Sequence, residues 1–268
     1  MRELSPADLA ANIRRSALRM VHRAGASHIG GCLSSADLIA HLYTEFLRFD
    51  PARPDWPDRD RFILSKGHAA AVAYSVLAEL GFFPKEKLQS YCQDGTELPG
   101  HIHHSVPGVE VSTGSLGHGL SIGAGMALYF KRTGVANRVA VLLSDGDCNE
   151  GSTWEAALMA PHLELDNLLV IIDHNKLQAF GRTGEVLPLK PLADKWIAFR
   201  WAVREIDGHN HKKISKSLAT VPFEKGKPSI IVAHTIKGKG VSFMEDNLIW
   251  HYKSPDDEQL RLALSEIE

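Results

Sequence analysis

Long apolar runs are absent from this 268-residue sequence: no stretch reaches eighteen apolar residues, and the opening MRELSPADLAANIRR has no apolar core. That leaves neither a candidate transmembrane helix nor the pattern of a secretory signal peptide. Cysteine is scarce too. Cys32, Cys92 and Cys148 are odd in number, widely spaced and without a CxxC pair. This argues against a disulfide framework and for free thiols in a reducing compartment, the cytoplasm. Nor is there an excess of either charge. Thirty Lys and Arg against 32 Asp and Glu give a formal charge of −2, so neither nucleic acid nor an anionic membrane is expected as a partner. Internal repeats, low-complexity tracts and flexible linkers are missing as well. What is there, with 44% hydrophobic residues, suffices for one sizeable core, and residues 1–268 read as a single domain.

Apolar positions at helical spacing (Leu9, Ile13, Ala17, Leu18, Val21) predict a helix over 6–24, stopped by Gly25. A second is predicted over 34–47, capped by Ser34 or Ser35. Small-residue helices are predicted over 68–80 and 119–130, where Gly123 and Gly125 permit close packing. Short apolar runs predict strands at 61–65, 139–143, 168–172, 201–206 and 229–234. The Pro- and Asp-rich segment 50–60 reads as a surface loop. Segment 179–192, with Gly181, Gly184, Pro188 and Pro191, reads as an irregular stretch wrapping over an edge. Strands alternating with helices give an α/β fold, a mostly parallel sheet with helices on both faces.

The most informative stretch is 139–178. Two apolar runs, Val139–Leu143 and Leu168–Ile172, end abruptly in Ser144-Asp145-Gly146 and Asp173-His174-Asn175. Such runs suit parallel strands buried on both faces, whose C-terminal ends form the ligand-binding edge of open α/β sheets. Asp145 and Asn175, thirty residues apart, then bring two hard oxygen donors to one edge. Hard oxygens suit Mg²⁺ or Ca²⁺, and Mg²⁺ commonly joins a few protein groups to substrate phosphates. Glu150-Gly151-Ser152-Thr153 opens the intervening helix, whose free N–H groups could face an anion. Read alone, these residues could equally be ordinary turns and caps.

Fourteen histidines are many for this length. His28, His68, His101, His118 and His209 lie in glycine-bearing turns. His101-Ile102-His103-His104 invites zinc, but it has neither HExxH spacing nor a cysteine pair. A turn histidine by itself is usually a hydrogen-bonding or solvent residue.

The Asp-Gly turn followed by Asn175 resembles the thiamin-diphosphate fingerprint. That family usually has Gly at the place of Ser144 and often a second Asn at that of His174, while the metal-binding Asn is kept as Asn175. Six further motifs agree in order and spacing. They are Ala26-Ser27-His28-Ile29-Gly30-Gly31, Ser65-Lys66-Gly67-His68, Pro99-Gly100-His101, Ser112-Thr113-Gly114-Ser115-Leu116-Gly117-His118-Gly119, Thr235-Ile236-Lys237-Gly238-Lys239-Gly240 and Trp250-His251. Together they resemble the transketolase family across nearly the whole chain, matching its N-terminal, diphosphate-binding domain.

The resemblance implies that Asp145, the Asn175 side chain and the Leu177 carbonyl bind Mg²⁺, for which Ca²⁺ could substitute, together with the diphosphate of thiamin diphosphate. It implies further cofactor contacts from His68, Gly114, Leu116, Gly146 and Lys237, the last of which could otherwise be a solvated loop lysine. Gly146 lets the backbone approach the diphosphate where a Cβ would obstruct it. Glu150 matches a carboxylate at an interface between subunits, although a first-turn Glu facing the helix dipole fits it nearly as well. His28, His101 and His251 match the histidines around the reacting sugar carbon, and imidazoles suit proton movement near neutrality. His103 and His104 have no matched role. Ile29 and Gly31 depart from the pattern, in which a Pro and a small hydroxyl residue are common, so one hydroxyl contact is expected to be missing.

The implied reaction transfers a two-carbon ketol unit from a ketose to an aldose, with sugar phosphates as small-molecule substrates. The pyrimidine-binding domain, with the Glu that activates the cofactor, has no counterpart among these residues. The chain is therefore expected to be the N-terminal subunit of a split transketolase, joined by a C-terminal subunit in a heterotetramer. The charged segment 254–268 reads as a finished helix or tail. Two other readings stand beside this one: another thiamin-diphosphate enzyme, such as a deoxyxylulose-phosphate synthase, and a non-catalytic cofactor-binding subunit.

Overall fold

The computed structural model describes residues 4–267, which form five strands and the helices around them. In chain order these are α1 (Pro6–Ala24), α2 (Ile29–His41), β1 (Arg61–Leu64), α3 (Ala70–Glu79), α4 (His118–Thr133), β2 (Val139–Ser144), α5 (Gly151–His162), β3 (Leu168–His174), α6 (Thr183–Val186), α7 (Leu192–Ala198), β4 (Ala202–Asp207), α8 (His211–Leu218), β5 (Ser229–His234) and α9 (Asp257–Glu266). Helix α1 has the predicted bounds. Ser5 caps it by accepting from the Asp8 N–H, and Gly25 ends it in the left-handed region.

All five strands are parallel, in the order β1-β2-β3-β5-β4. Alternate side chains divide the core in two. Leu64, Ala140, Leu142, Leu169, Ile171 and Ile231 pack against α1, α2 and α3. Ile63, Val141, Leu143, Val170, Ile172 and Ile230 pack against α4, α5 and α7. The period of two thus sends successive residues to opposite helical layers, which is why β2, β3 and β5 read as apolar runs, unlike the edge strand β4 with its Arg204 and Glu205. Register places Ser144 beside Asp173 and His174 beside His234. The turns after β2, β3 and β5 therefore emerge at one level of one edge.

Helix α2 departs from expectation. It begins at Ile29, with His28 at the cap position at φ 74°, and a π-helical turn over Leu42–Phe46 follows it. Ser34 and Ser35 are consequently not caps. They lie inside the helix, where both hydroxyls donate to the Gly31 carbonyl. Gly30 and Gly31 look like turn glycines in the sequence. Gly30 is instead a packing glycine, since a Cβ there would come within 2.9 Å of Lys237 Cγ. Every residue of α2 is buried, so it has no polar face from which its start could be read. Among the described residues no helix is long and apolar enough to cross a membrane.

Candidate active site

A cleft of about 370 Å³ opens at the C-terminal edge of β2, β3 and β5, where ligands bind in open parallel sheets. All twelve residues singled out from the sequence line it: His28, His68, His101, Gly114, Leu116, Asp145, Gly146, Glu150, Asn175, Leu177, Lys237 and His251. They come from nine separate stretches of chain that the fold gathers into one hollow.

One wall is built of oxygens. Asp145 is buried; its Oδ1 accepts from His174 Nδ1 and its Oδ2 from the Lys176 N–H at 2.7 Å. Asn175 Nδ2 donates to Asp173 Oδ2 at 3.3 Å and to Ser34 Oγ at 3.4 Å, which assigns the other end of the amide as oxygen. That Oδ1 accepts from the Leu177 N–H at 3.1 Å. The Leu177 carbonyl takes the Lys237 ammonium at 3.1 Å. Glycines open the space in front. A Cβ on Gly146 would come within 2.7 Å of Leu116 Cδ1, and one on Gly114 within 3.0 Å of the His101 ring. Glu150 is exposed at the start of α5 and makes no capping bond there.

The facing wall is built of imidazoles and lysines. The His28 ring centre lies 5.1 Å from those of His68 and His251 and 6.0 Å from that of His101. The His28 N–H donates to the His251 carbonyl at 2.8 Å, tying the start of α2 to the Trp250-His251 turn. Lys237 Nζ donates to His251 Nδ1 at 2.7 Å, which leaves that ring's proton on Nε2. Burial, then His101 and Lys237, pulls His28 down to about 4. Burial, then Lys237 and His28, pulls His251 down to about 3. His68 is driven well below its ordinary value by burial and by Lys66. Lys237 is lowered to about 8 by burial and by the Lys66 charge, although Asp173 and Asp145 work against the shift. At neutral pH these three rings are uncharged, each with one donor and one acceptor.

Three buried residues with a part in this site were not singled out from the sequence. Lys66 also lines the cleft; it is 1% exposed and donates to Asp173 Oδ2 at 2.5 Å and to the Gly31 carbonyl at 2.8 Å. It borders the place of the missing hydroxyl, its Nζ lying 3.7 Å from where a Cβ on Gly31 would stand. Asp173 also accepts from Ser34 Oγ at 2.6 Å and from Thr235 Oγ1. Burial opposes its charge, but Lys66 and these donors outweigh burial and hold the carboxyl below its usual range. Asp147 joins three loops. Its Oδ1 accepts from Ser65 Oγ at 2.6 Å and the Gly117 N–H at 2.9 Å, and its Oδ2 from the Ser144 N–H and hydroxyl at 2.8 Å. The available signal was a charge directly after an apolar run at Asp173, and a few residues past one at Lys66 and Asp147. Such a charge is buried only when paired.

His103 and His104 stay outside the cleft lining. Their rings lie 4.4 Å apart on the surface, bonded to Ser105 and Ser112. Among the described residues no group of three or more His, Cys, Asp or Glu is arranged to hold a metal. The oxygen wall, with a single carboxylate, is a different kind of donor set.

The family profile described as "Transketolase, thiamine diphosphate binding domain" matches residues 5–261. The chain is 42% identical to the 6-deoxy-6-sulfo-D-fructose transketolase subunit of Clostridium sp. (strain MSTE9), over 96% of this chain and 94% of that protein. It is 41% identical to an apulose-4-phosphate transketolase subunit of Phocaeicola vulgatus, over 95% and 90% of the two. Its fold superposes on the crystal structure of transketolase from Campylobacter jejuni with a TM-score of 0.92 at 30% identity, covering 98% of this chain and 43% of that one. The chain therefore spans about two fifths of the single-chain enzyme and nearly the whole of its subunit relatives.

Proposed function

We propose, from the premise that this chain belongs to the transketolase family, that it is the N-terminal subunit of a composite transketolase. In this reading it holds the diphosphate end of thiamin diphosphate and helps move a two-carbon ketol unit from a ketose to an aldose. The observation that carries the reading is the convergence of the oxygen donors, the two lysines and the histidine cluster on one cleft. The two subunit relatives named above support the composite architecture.

The residues present fit the cofactor. Asp145, Asn175 Oδ1 and the Leu177 carbonyl offer hard oxygens that would hold Mg²⁺, or Ca²⁺ in its place, and the ion would supply positive charge to a diphosphate. The Leu177 carbonyl already accepts one cation, the Lys237 ammonium, and each oxygen keeps a second lone pair. Lys237 would supply positive charge to a polyanion, and Gly146 and Gly114 leave room for it, while Lys66 is already paired with Asp173. When bound, thiamin diphosphate supplies the electron sink that allows the bond beside a ketose carbonyl to break.

The chain's own residues position the sugar and handle its protons. His251, with Nδ1 held by Lys237, presents Nε2–H as a donor toward a sugar oxygen. His28, its ring centre 5.1 Å from that of His251, and His101, 6.0 Å from His28, can accept a hydroxyl proton or return one. His28 and His251, held uncharged at neutral pH, suit this exchange, because each can donate at one nitrogen and accept at the other. Glu150, exposed at the cleft margin, is read as a contact to the partner subunit. The two relatives' names point to a donor ketose that carries a terminal phosphate or sulfonate.

The test is reconstitution. The purified chain alone should be inactive. Mixed with its C-terminal subunit, thiamin diphosphate and Mg²⁺, it should transfer ketol units, and light scattering should report a heterotetramer. Full activity from the isolated chain would refute the composite reading.

A further inference from the structure

His209 lies outside the cleft, in the turn after β4, yet it reaches the segment that carries Lys237. Its Nδ1 bonds Asp37 Oδ2 at 2.8 Å and its Nε2 accepts the Ile236 N–H at 2.9 Å. Because Nε2 accepts, the ring proton sits on Nδ1 and is donated to the carboxylate. Asp37 is held in turn by Arg14, which donates to both carboxylate oxygens at 2.8 and 2.6 Å and to the Leu33 carbonyl at 3.3 Å. Burial opposes the Asp37 charge, but His209 and Arg14 outweigh burial and keep it ionised. The turn itself is pressed against the same segment, since a Cβ on Gly208 would come within 2.5 Å of Thr235 Cγ2.

Lys237 follows Ile236 directly. On its other side the Gly238 N–H donates to the Gly30 carbonyl at 3.0 Å. Residues 236–238 are thus pinned at two backbone N–H groups, one by helix α2 and one by an imidazole. The lysine between them spans from the Leu177 carbonyl to His251. A long, flexible ammonium chain is a poor fixed charge unless its backbone is held.

We infer that His209, backed by Asp37 and Arg14, is a positioning residue for Lys237, alongside the Asp246 N–H that holds the Lys237 carbonyl at 2.9 Å. Removing its acceptor should free the Ile236 N–H and let the Lys237 backbone shift. The ammonium would then lose its fixed place between the oxygen wall and His251. The inference rests on the proposed reading of Lys237 as a diphosphate contact.

The test compares H209L, H209Q and K237M in the full chain with its partner subunit. The readouts are hydrogen exchange of segment 234–240 and calorimetric titration with thiamin diphosphate and Mg²⁺. H209L should speed exchange in that segment and not across the sheet, and should weaken cofactor binding by about tenfold, the lower range for an outer-shell partner. Gln offers an amide donor to Asp37 and an oxygen to Ile236, so H209Q should restore both readouts. A merely space-filling His209 would be replaced as well by Leu as by Gln. Unchanged exchange in H209L, or an H209Q that folds but does not restore it, overturns the inference. Unchanged cofactor affinity in K237M overturns the diphosphate reading instead, while the exchange result still reports on the His209 clamp.

Discussion

The two walls of the cleft are made differently. The oxygen wall comes from the ends of two neighbouring strands; Asp145 is tied to the Lys176 N–H of the adjacent turn and Asn175 to the Leu177 N–H of its own. The imidazole wall is assembled from a helix cap, two loops and a turn near the C-terminal end of the chain, and its members meet only in the folded protein. The first is fixed by sheet register; the second is fixed by packing, and its His28, His68 and His251 rings pay in desolvation. A register-bound group should fail abruptly when its side chain is cut, because nothing else can replace its donor atom. A packed ring should lose its chemistry and leave the binding frame standing.

The largest effect is therefore expected on the oxygen wall. D145A or N175A should remove one of the three oxygens proposed to hold Mg²⁺ and so leave the charge of a bound diphosphate poorly compensated. Titration of the reconstituted enzyme with thiamin diphosphate and Mg²⁺ should show cofactor affinity falling by about 100-fold or more, on the scale by which even outer-shell changes cost 10–100-fold. Circular dichroism should stay that of the wild type. Unchanged affinity in both variants would remove the metal assignment.

On the imidazole wall, H28A, H101A and H251A should keep cofactor affinity within a few-fold and lower turnover of donor sugar by about 10²–10⁴-fold, the usual range for a lost proton-transfer group. The contrast between the walls lies in which parameter moves. If the histidine variants lose cofactor as readily as D145A does, the division between binding and proton handling collapses. Normal turnover in all three would remove the histidine reading altogether.

The same contrast explains what could be read in the sequence. Strands β2, β3 and β5 were legible because burial on both faces leaves only apolar residues, and the polar residues after them marked the ligand edge. That pattern put Asp145 and Asn175 on the edge, while the metal role proposed for them came from the family resemblance. No such pattern placed the histidines. A turn histidine carries no local mark of what it will face, and His28, His101 and His251 were found by family resemblance. The start of α2 was missed for a related reason, since a wholly buried helix has no amphipathic phase and its glycines look like a turn. Asp173 stood in plain view at the end of an apolar run, and Lys66 and Asp147 a few residues past one. Their partners are brought near by register and loop packing, so spacing in the sequence could not pair them.

The smallest expected effect concerns acid and the imidazole wall. In the unfolded chain His28, His68 and His251 titrate near 6.5; in the fold, burial and neighbouring positive charge put His28 at about 4, His251 at about 3 and His68 well below its ordinary value. Their folded values lie below the unfolded ones, so the unfolded chain binds more protons between the two. The contribution is present in full above pH 6.5 and is lost as pH falls, across a window reaching to about 4 for His28 and about 3 for His251. Without cofactor, the urea midpoint of the full chain should fall between pH 7 and pH 5, gently, because solvent screens the half-open rings. Replacing His28 and His251 by Asn should flatten that fall. N175A, which changes the opposite wall and removes no titrating group, should leave its slope as in the wild type. Equal slopes in all three chains would show that the rings are not held uncharged by burial, and the contrast between the walls would lose its electrostatic half.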